Sequence, residues 1–423
     1  MTRHAITAKR VDDGPADTTE ICGLAEAAGY EVVGEVTQRR PEDSGTCFGD
    51  GKVAELRDRV AERDAAAVLV DNDLTPTQST ALVEALPDGT RVADRRRVVL
   101  DIFAERAATR RAKLQVELAT LRYELPRVEA EGDPEPLNLA AEKGTRLNDV
   151  RTRIDRVKRK LDDVADDAAE RRRERRERGF SIVALAGYTN AGKSTLLHRL
   201  ADDLSAATLE PAHGDLDATA SVEDRLFETL ETTTRRATLD GRPALVTDTV
   251  GLIDDLPHDL VESFHGTLSE TYHADAVVLV VDASAPPDRF RDRVATCRRV
   301  LDGNVEGTVV PALNKVDLID GDALAERRKA LAEHWRDPVA VSALEGSGVA
   351  DLRARVAAEL PAERCELAVP NCGEAMSLVS WLYDRASVER VDYGGDRVRI
   401  AFTGRTAVVE RARAKADEVS GSV

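Results

Sequence analysis

The sequence predicts an α/β protein of 423 residues: a doubly wound sheet preceded by a small α/β domain and a long antiparallel helical hairpin, and followed by a small α+β domain. Three observations predict this. Between residues 181 and 344, strand-length apolar runs each end in a polar turn, as in an open parallel sheet. Between 147 and 164, apolar residues recur at spacings of 3 and 4, as along one helix face. Over residues 1–100, strand and helix signals alternate. The expected domains are 1–100, 101–178, 179–360 and 361–423.

In the first region, Glu31–Val36 and Ala66–Val70 read as strands, and Lys52–Asp64 and Thr75–Leu86 as helices, giving a parallel sheet. Ile102–Tyr123 reads as one long amphipathic helix. A second runs from about Leu137 to Arg178, with Leu147, Val150, Ile154, Val157, Leu161 and Val164 on one face. Pro134 and Pro136 mark the turn between them. The second helix ends in a run of arginines from Arg171 to Arg178. Two readings stand side by side: a contact for RNA phosphates, or a solvated helix end where cations meet the negative end of the dipole. Arg106, Arg110, Arg111 and Arg122 would extend the patch. In the last region Glu374–Arg385 and Arg405–Glu418 read as helices, with a hairpin of Ser387–Val391 and Arg397–Phe402 around Tyr393-Gly-Gly-Asp396.

The third region carries the chemistry. Ser181–Ala186 reads as a buried strand, and Gly187, Tyr188, Thr189, Asn190, Ala191, Gly192, Lys193 and Ser194 follow, with Thr195 opening a helix. This is GxxxxGK[ST], a phosphate-binding loop: backbone N–H groups converge on a polyphosphate, Lys193 reaches the β- and γ-phosphates, and Ser194 ligates Mg²⁺. The helix start favours the anion. Asp248, Thr249, Val250 and Gly251 form DxxG at the end of the apolar run from Ala244; there Asp248 can hold Mg²⁺ and the Gly251 N–H can meet the γ-phosphate. Asn314, Lys315, Val316 and Asp317 follow the strand Thr308–Leu313. A carboxylate at 317 can accept both N1–H and N2–H of guanine, a donor pair adenine lacks. Ser342, Ala343 and Leu344 follow Pro338–Val341, and their backbone can meet guanine O6. The ligand expected is therefore GTP or GDP with Mg²⁺.

A switch needs a threonine that reaches Mg²⁺ only when the γ-phosphate is present. Leu226–Arg236 holds four candidates, within a stretch that includes Phe227, Glu228, Thr229, Leu230 and Glu231. Thr229 and Thr233 are best placed, and the sequence does not separate them. Many small GTPases place Gln after DxxG to orient water; here Leu252 stands there, so slow intrinsic turnover is expected. Asn190 has two readings: a ligand for K⁺ beside the β/γ bridge, supplying positive charge as an arginine finger would, or a loop-capping residue.

The chain resembles the HflX family of ribosome-associated GTPases. The resemblance rests on GYTNAGKST (187–195), LFETLETTTRR (226–236) and DTVGLIDDLPHDLVESFHGTL (248–268), with Leu256-Pro-His-Asp-Leu260 more specific than any nucleotide motif. Outside this domain, Gly45–Leu56 is similar to the family's N-terminal glycine-lysine signature, and Leu100–Arg106 with Lys113–Ala119, ending at Leu125-Pro-Arg127, to its second signature. The resemblance covers roughly residues 20–360. It implies GTP hydrolysis, binding to the large ribosomal subunit through rRNA and protein, and the splitting or rescue of stalled ribosomes. In one departure, acidic Val128–Pro136 stands where the family usually has a glycine-rich segment; in another, Leu252 replaces a more usual Phe.

The 78 acidic against 60 basic residues give a net charge of −18, and only 10 of the basic residues are Lys. Such a surface suits a high-salt cytoplasm, and a halophilic archaeal source is expected. Molar salt shortens the Debye length to about 3 Å, so local basic patches outweigh net charge in RNA contact. The five cysteines show no CxxC pair, which argues against zinc and disulfides. No apolar run approaches the ~18 residues of a membrane span, and the amino terminus lacks a signal-peptide core; a cytoplasmic, partly ribosome-associated monomer with no membrane partner is expected. The competing functions are a nucleotide-gated assembly or anchoring factor without splitting activity, and an ATP-driven RNA remodeller, against which Asp317 argues.

Overall fold

The computed structural model describes residues 3–107, 109–130, 137–201, 233–249 and 270–421. Pro134 and Pro136 lie outside them, as do Phe227, Glu228, Thr229, Leu230, Glu231, Val250 and Gly251. The described residues divide into two compact units, with the boundary between residues 164 and 165.

In the first unit, β1 (Arg3–Val11), β2 (Tyr30–Arg39), β3 (Ala67–Val70) and β4 (Arg91–Asp94) form a parallel sheet in the order β2-β1-β3-β4. Helices α2 (Asp50–Arg63) and α3 (Pro76–Ala85) cover one face, burying Phe48, Leu56, Val60 and Leu82 against Ile6, Val36, Val68 and Val70. Thr75 opens α3 with a capping box: its hydroxyl accepts from Gln78 N–H, and the Gln78 side chain accepts from Thr75 N–H. Helix α1 (Thr19–Ala27) packs against α4 (Arg95–Arg106). The sequence reading placed two strands here and missed β1, α1 and β4. Strand β1 is central, yet Arg3, His4, Lys9 and Arg10 obscure its apolar centre. Its end is matched from afar: Lys9 Nζ donates to Asp71 Oδ2 at 2.7 Å, and the Arg10 N–H donates to Asn72 Oδ1 at 2.7 Å.

The single helix expected over Ile102–Tyr123 is two, α4 and α5 (Arg110–Ala130). Helix α4 buries Val98, Val99, Ile102 and Phe103 within the first unit. Leu114, Leu118 and Leu121 of α5 instead meet Ile154 and Val157 of α6 (Leu137–Glu177), flanked by Val150, Leu161 and Val164. One straight helix cannot serve both surfaces. The ion pairs Arg151–Glu129 and Arg153–Glu117 run in opposite chain senses, as an antiparallel pair requires.

Asp94 joins α5 to the sheet. Its side chain is 1% exposed. Oδ1 caps α4 by accepting from Arg97 N–H at 2.8 Å and also accepts from the Tyr123 hydroxyl at 3.0 Å; Oδ2 accepts from Arg127 Nη2 at 3.0 Å. The Arg127 guanidinium also lies 3.5 Å from the Tyr123 ring centroid. Burial, reinforced by the Asp94 charge, pushes the Tyr123 phenol up.

In the second unit, β5 (Ser181–Gly187), β6 (Thr234–Leu239), β7 (Arg242–Asp248), β8 (Ala276–Asp282), β9 (Thr308–Asn314) and β10 (Val339–Ala340) form a six-stranded sheet in the order β10-β9-β8-β5-β7-β6, parallel except for β6. Helices α7 (Lys193–Leu200), α8 (Pro287–Leu301), α9 (Gly321–Ala332) and α10 (Val349–Glu359) complete the doubly wound domain. The carboxyl ends of β5, β7, β8 and β9 place Gly187, Asp248, Asp282 and Asn314 at one edge. Later in the chain, β11 (Glu363–Pro370), missed from sequence, pairs antiparallel with β13 (Arg397–Gly404), which pairs with β12 (Ser387–Gly394). Helices α11 (Gly373–Tyr383) and α12 (Thr406–Gly421) complete its core around Leu378, Leu382, Phe402 and Val409. All five cysteines are free thiols. No helix among the described residues is long and apolar enough to cross a membrane.

Replacing Arg127 with Met would leave the Asp94 carboxylate buried without its cation. The expected loss is about 3 kcal/mol, read as a lower denaturant midpoint; an unchanged midpoint would show that Asp94 needs no such partner.

Candidate nucleotide site

The loop from 187 to 192 lies closer to its neighbours than a side chain allows. A Cβ on Gly187 would sit 2.1 Å from the Val280 carbonyl oxygen, and one on Gly192, at φ +89°, 2.2 Å from Asn314 Nδ2. Asn190 adopts φ +60° at the exposed tip. Tyr188, Thr189 and Ala191 are buried, with the Arg293 guanidinium 4.8 Å from the Tyr188 ring centroid.

Lys193 opens α7 and is buried; its Nζ donates to the Tyr188 carbonyl at 2.7 Å. Burial pulls its ammonium pKa down, opposed by the Asp248 charge. Asp248 ends β7 and is fully buried. Oδ2 accepts from the Ser194 hydroxyl at 2.6 Å, while Oδ1 has no hydrogen-bond partner among the described residues. Burial raises the carboxyl's pKa, opposed by Lys193 and by the Ser194 bond. Thr249 donates to the Leu185 carbonyl at 2.7 Å, and half-buried Thr195 follows Ser194 in α7.

A serine hydroxyl and a buried carboxylate with an unused oxygen are hard donors of the kind Mg²⁺ takes. No group of three or more His, Cys, Asp or Glu among the described residues could hold a metal ion.

At the far side of the edge, Asn314 is bonded on both sides: Nδ2 donates to the Ala191 carbonyl at 2.8 Å, and Oδ1 accepts from Ala343 N–H at 2.9 Å. It thus ties the phosphate loop to the 342–344 turn. Lys315, at φ +64°, donates to Asp282 Oδ2 at 2.9 Å. The Val316 N–H donates to the Val341 carbonyl, and Asp317 is exposed in a short 3-10 turn. Ser342 is buried and its hydroxyl accepts from Glu345 N–H, whereas Leu344 is 68% exposed. Arg199 of α7 donates to the Ala343 and Leu344 carbonyls.

Sequence reasoning missed Asp282 and Arg199. Asp282 had a signal, the polar end of an apolar strand; Arg199 had none. Of the two switch threonines, Thr233 directly precedes β6, and its carbonyl accepts from Asp248 N–H at 2.9 Å. Thr229 lies outside the described residues, as do Phe227, Glu228, Leu230, Glu231, Val250 and Gly251.

Residues 16–104 match the family described as "GTP-binding GTPase N-terminal", 182–315 that described as "50S ribosome-binding GTPase", and 327–413 the "HflX C-terminal domain". The GTPase HflX of Thermococcus kodakarensis is 35% identical over 416 residues, covering 94% of this chain and 90% of the relative. That of Thermofilum pendens is 35% identical over 415 residues, covering 94% and 92%. A solved structure described as a complex of SsGBP and GDP shares the fold, with a TM-score of 0.50 and 20% identity over 84% of this chain and 98% of that one. With its nucleotide-site motifs on the carboxyl edge of the sheet, and relatives aligned along nearly its whole length, the chain belongs to the HflX family of ribosome-associated, GTP-hydrolysing proteins.

Proposed function

We propose that GTP, held with Mg²⁺ over the carboxyl edge of the six-stranded sheet, gates binding to the large ribosomal subunit, and that the GTP-bound protein dissociates or rescues stalled ribosomes. The observation that carries the nucleotide reading is the buried Asp248 carboxylate, bonded to Ser194 through one oxygen and unbonded through the other. Mg²⁺ would be held by Ser194, Asp248 and Thr229, and would offset charge on the β- and γ-phosphates. Lys193 would leave the Tyr188 carbonyl to bind phosphate, and Gly251 would offer its N–H to the γ-phosphate. Asn190, at the exposed loop tip, would help hold K⁺.

Guanine selection falls to Asp317, which is exposed and so open to a base edge. Asn314 acts by placement, since protein groups already engage both ends of its amide. Lys315 would lie along the base, and Ala343 and Leu344 beside O6. Leu252 after DxxG supports slow intrinsic turnover, with a partner or another residue completing the water site.

Three outcomes test this reading. Asp317→Asn should shift preference from GTP to XTP by about 100-fold, measured by competitive nucleotide titration; unaltered base selectivity would reject the assignment. Because burial holds the Asp248 carboxyl above its usual range, protons compete with magnesium as pH falls. The Mg²⁺ enhancement of GTP affinity should therefore shrink from neutral toward acid pH, and be small at every pH in Asp248→Asn; a pH-independent enhancement in the native protein would remove Asp248 from the metal site. On density gradients, adding the GTP-bound protein to intact ribosomes should raise free subunits. Binding without more free subunits would leave an assembly or anchoring role.

A further inference from the structure

The arginines of the run at the end of α6 face different surroundings, with Arg175 half-buried. Arg171, Arg173 and Arg178 are exposed. Arg172 and Arg176 turn onto the segment before β8. Arg172 Nη1 donates to Glu270 Oε1 at 3.0 Å, with side chains 11% and 13% exposed. Arg176 Nη2 donates to the His273 carbonyl and lies 3.3 Å from Asp275 Oδ1.

Asp275 also holds two other parts of this unit. Its Oδ2 accepts from Ile182 N–H at 2.8 Å, and its own N–H donates to the Ile182 carbonyl at 2.7 Å. The start of β5, whose other end carries the phosphate loop, is thereby fixed to it. From the C-terminal domain, Arg405 grips both carboxylate oxygens, with Nη2 3.2 Å from Oδ1. The connection from β7 to β8 begins with Thr249, beside Asp248 at the phosphate edge, and closes with Glu270–Asp275.

We propose that Glu270 and Asp275 form a charge clamp through which the end of α6 and the C-terminal domain set the preference of the GTPase domain between GTP and GDP, with Asp275 as a positioning residue for β5. The physical reason is desolvation. A carboxylate this buried tolerates loss of its cation poorly, so the clamp favours discrete engaged and released arrangements over a graded one. A nucleotide that favours one arrangement changes the grip on α6, and by reciprocity a change of grip alters nucleotide affinity. Arg172 and Arg176, paired to the segment before β8, are thus assigned to the GTPase domain, whereas Arg171, Arg173 and Arg178 are exposed, Arg173 pairing with Glu177 of its own helix. The inference stands on GTP hydrolysis and is independent of ribosome splitting.

The test uses the full chain without ribosomes. Affinities for GDP and a non-hydrolysable GTP analogue are measured for Arg172→Gln/Arg176→Gln and for Arg171→Gln/Arg173→Gln/Arg178→Gln. The inward pair should change the ratio of the two affinities by about 5-fold or more; the outward triple should leave it unchanged. The swap Arg172→Glu/Glu270→Arg should lie closer to the native ratio than Arg172→Glu alone. Equal loss of both affinities in the inward pair, with the ratio preserved, would reduce the clamp to scaffolding and overturn the proposal. Should the inward pair not fold, Arg405→Lys, which keeps the charge but not the two-nitrogen grip, gives the same readout: a changed ratio supports the clamp and a native ratio overturns it.

Discussion

Backbone N–H groups can converge on a polyphosphate only where the chain lies against neighbouring strands without side chains between. Residues 187 and 192 meet this condition because a Cβ at either position would collide with Val280 or Asn314. The rest of the nucleotide edge follows from that approach. Asn314 can bridge the loop and the 342–344 turn only because Gly192 leaves its amide room. Lys193 and Asp248 are then brought into one buried space, where each is less at ease charged than it would be in water. Each opposes the other's shift, so the two charges are held together at the cost of their hydration.

Two other buried carboxylates organise the framework. Asp94 collects the N-terminus of α4, the Tyr123 hydroxyl and the Arg127 guanidinium, and so docks α5 onto the first sheet. Asp275 collects β5, the end of α6 and the start of α12. Among the described residues few acidic side chains are buried, so these differ in kind. A desolvated carboxylate is selective about its partners, because an unfilled hydrogen-bonding direction costs more than a solvated one. Arg suits the role better than Lys, since its fork can meet two acceptors at once.

Much of the nucleotide edge was legible in the sequence because strand-end motifs depend on local order: an apolar run, then a fixed spacing of polar residues. The 3-and-4 spacing of Val150, Ile154, Val157, Leu161 and Val164 likewise revealed the face of α6 that packs on α5. Strand β1 was hidden because its flanking charges look solvated until Asp71 and Asn72, far along the chain, are brought beside them. Strand β11 was hidden because its charged residues, Glu363, Arg364 and Glu366, suit an exposed loop as well as an edge strand.

The sequence by itself determined the order of the motifs and the periodicity of the helical pair, since each depends on residue type at short range. Only the tertiary structure decided that α4 and α5 part at residue 107, that Asn314 is engaged at both ends, and that Arg172 and Arg176 face inward while Arg171 and Arg173 are exposed. Helical geometry turns each residue about 100° from the last, and which of those directions meets a buried carboxylate depends on chain nearly a hundred residues away.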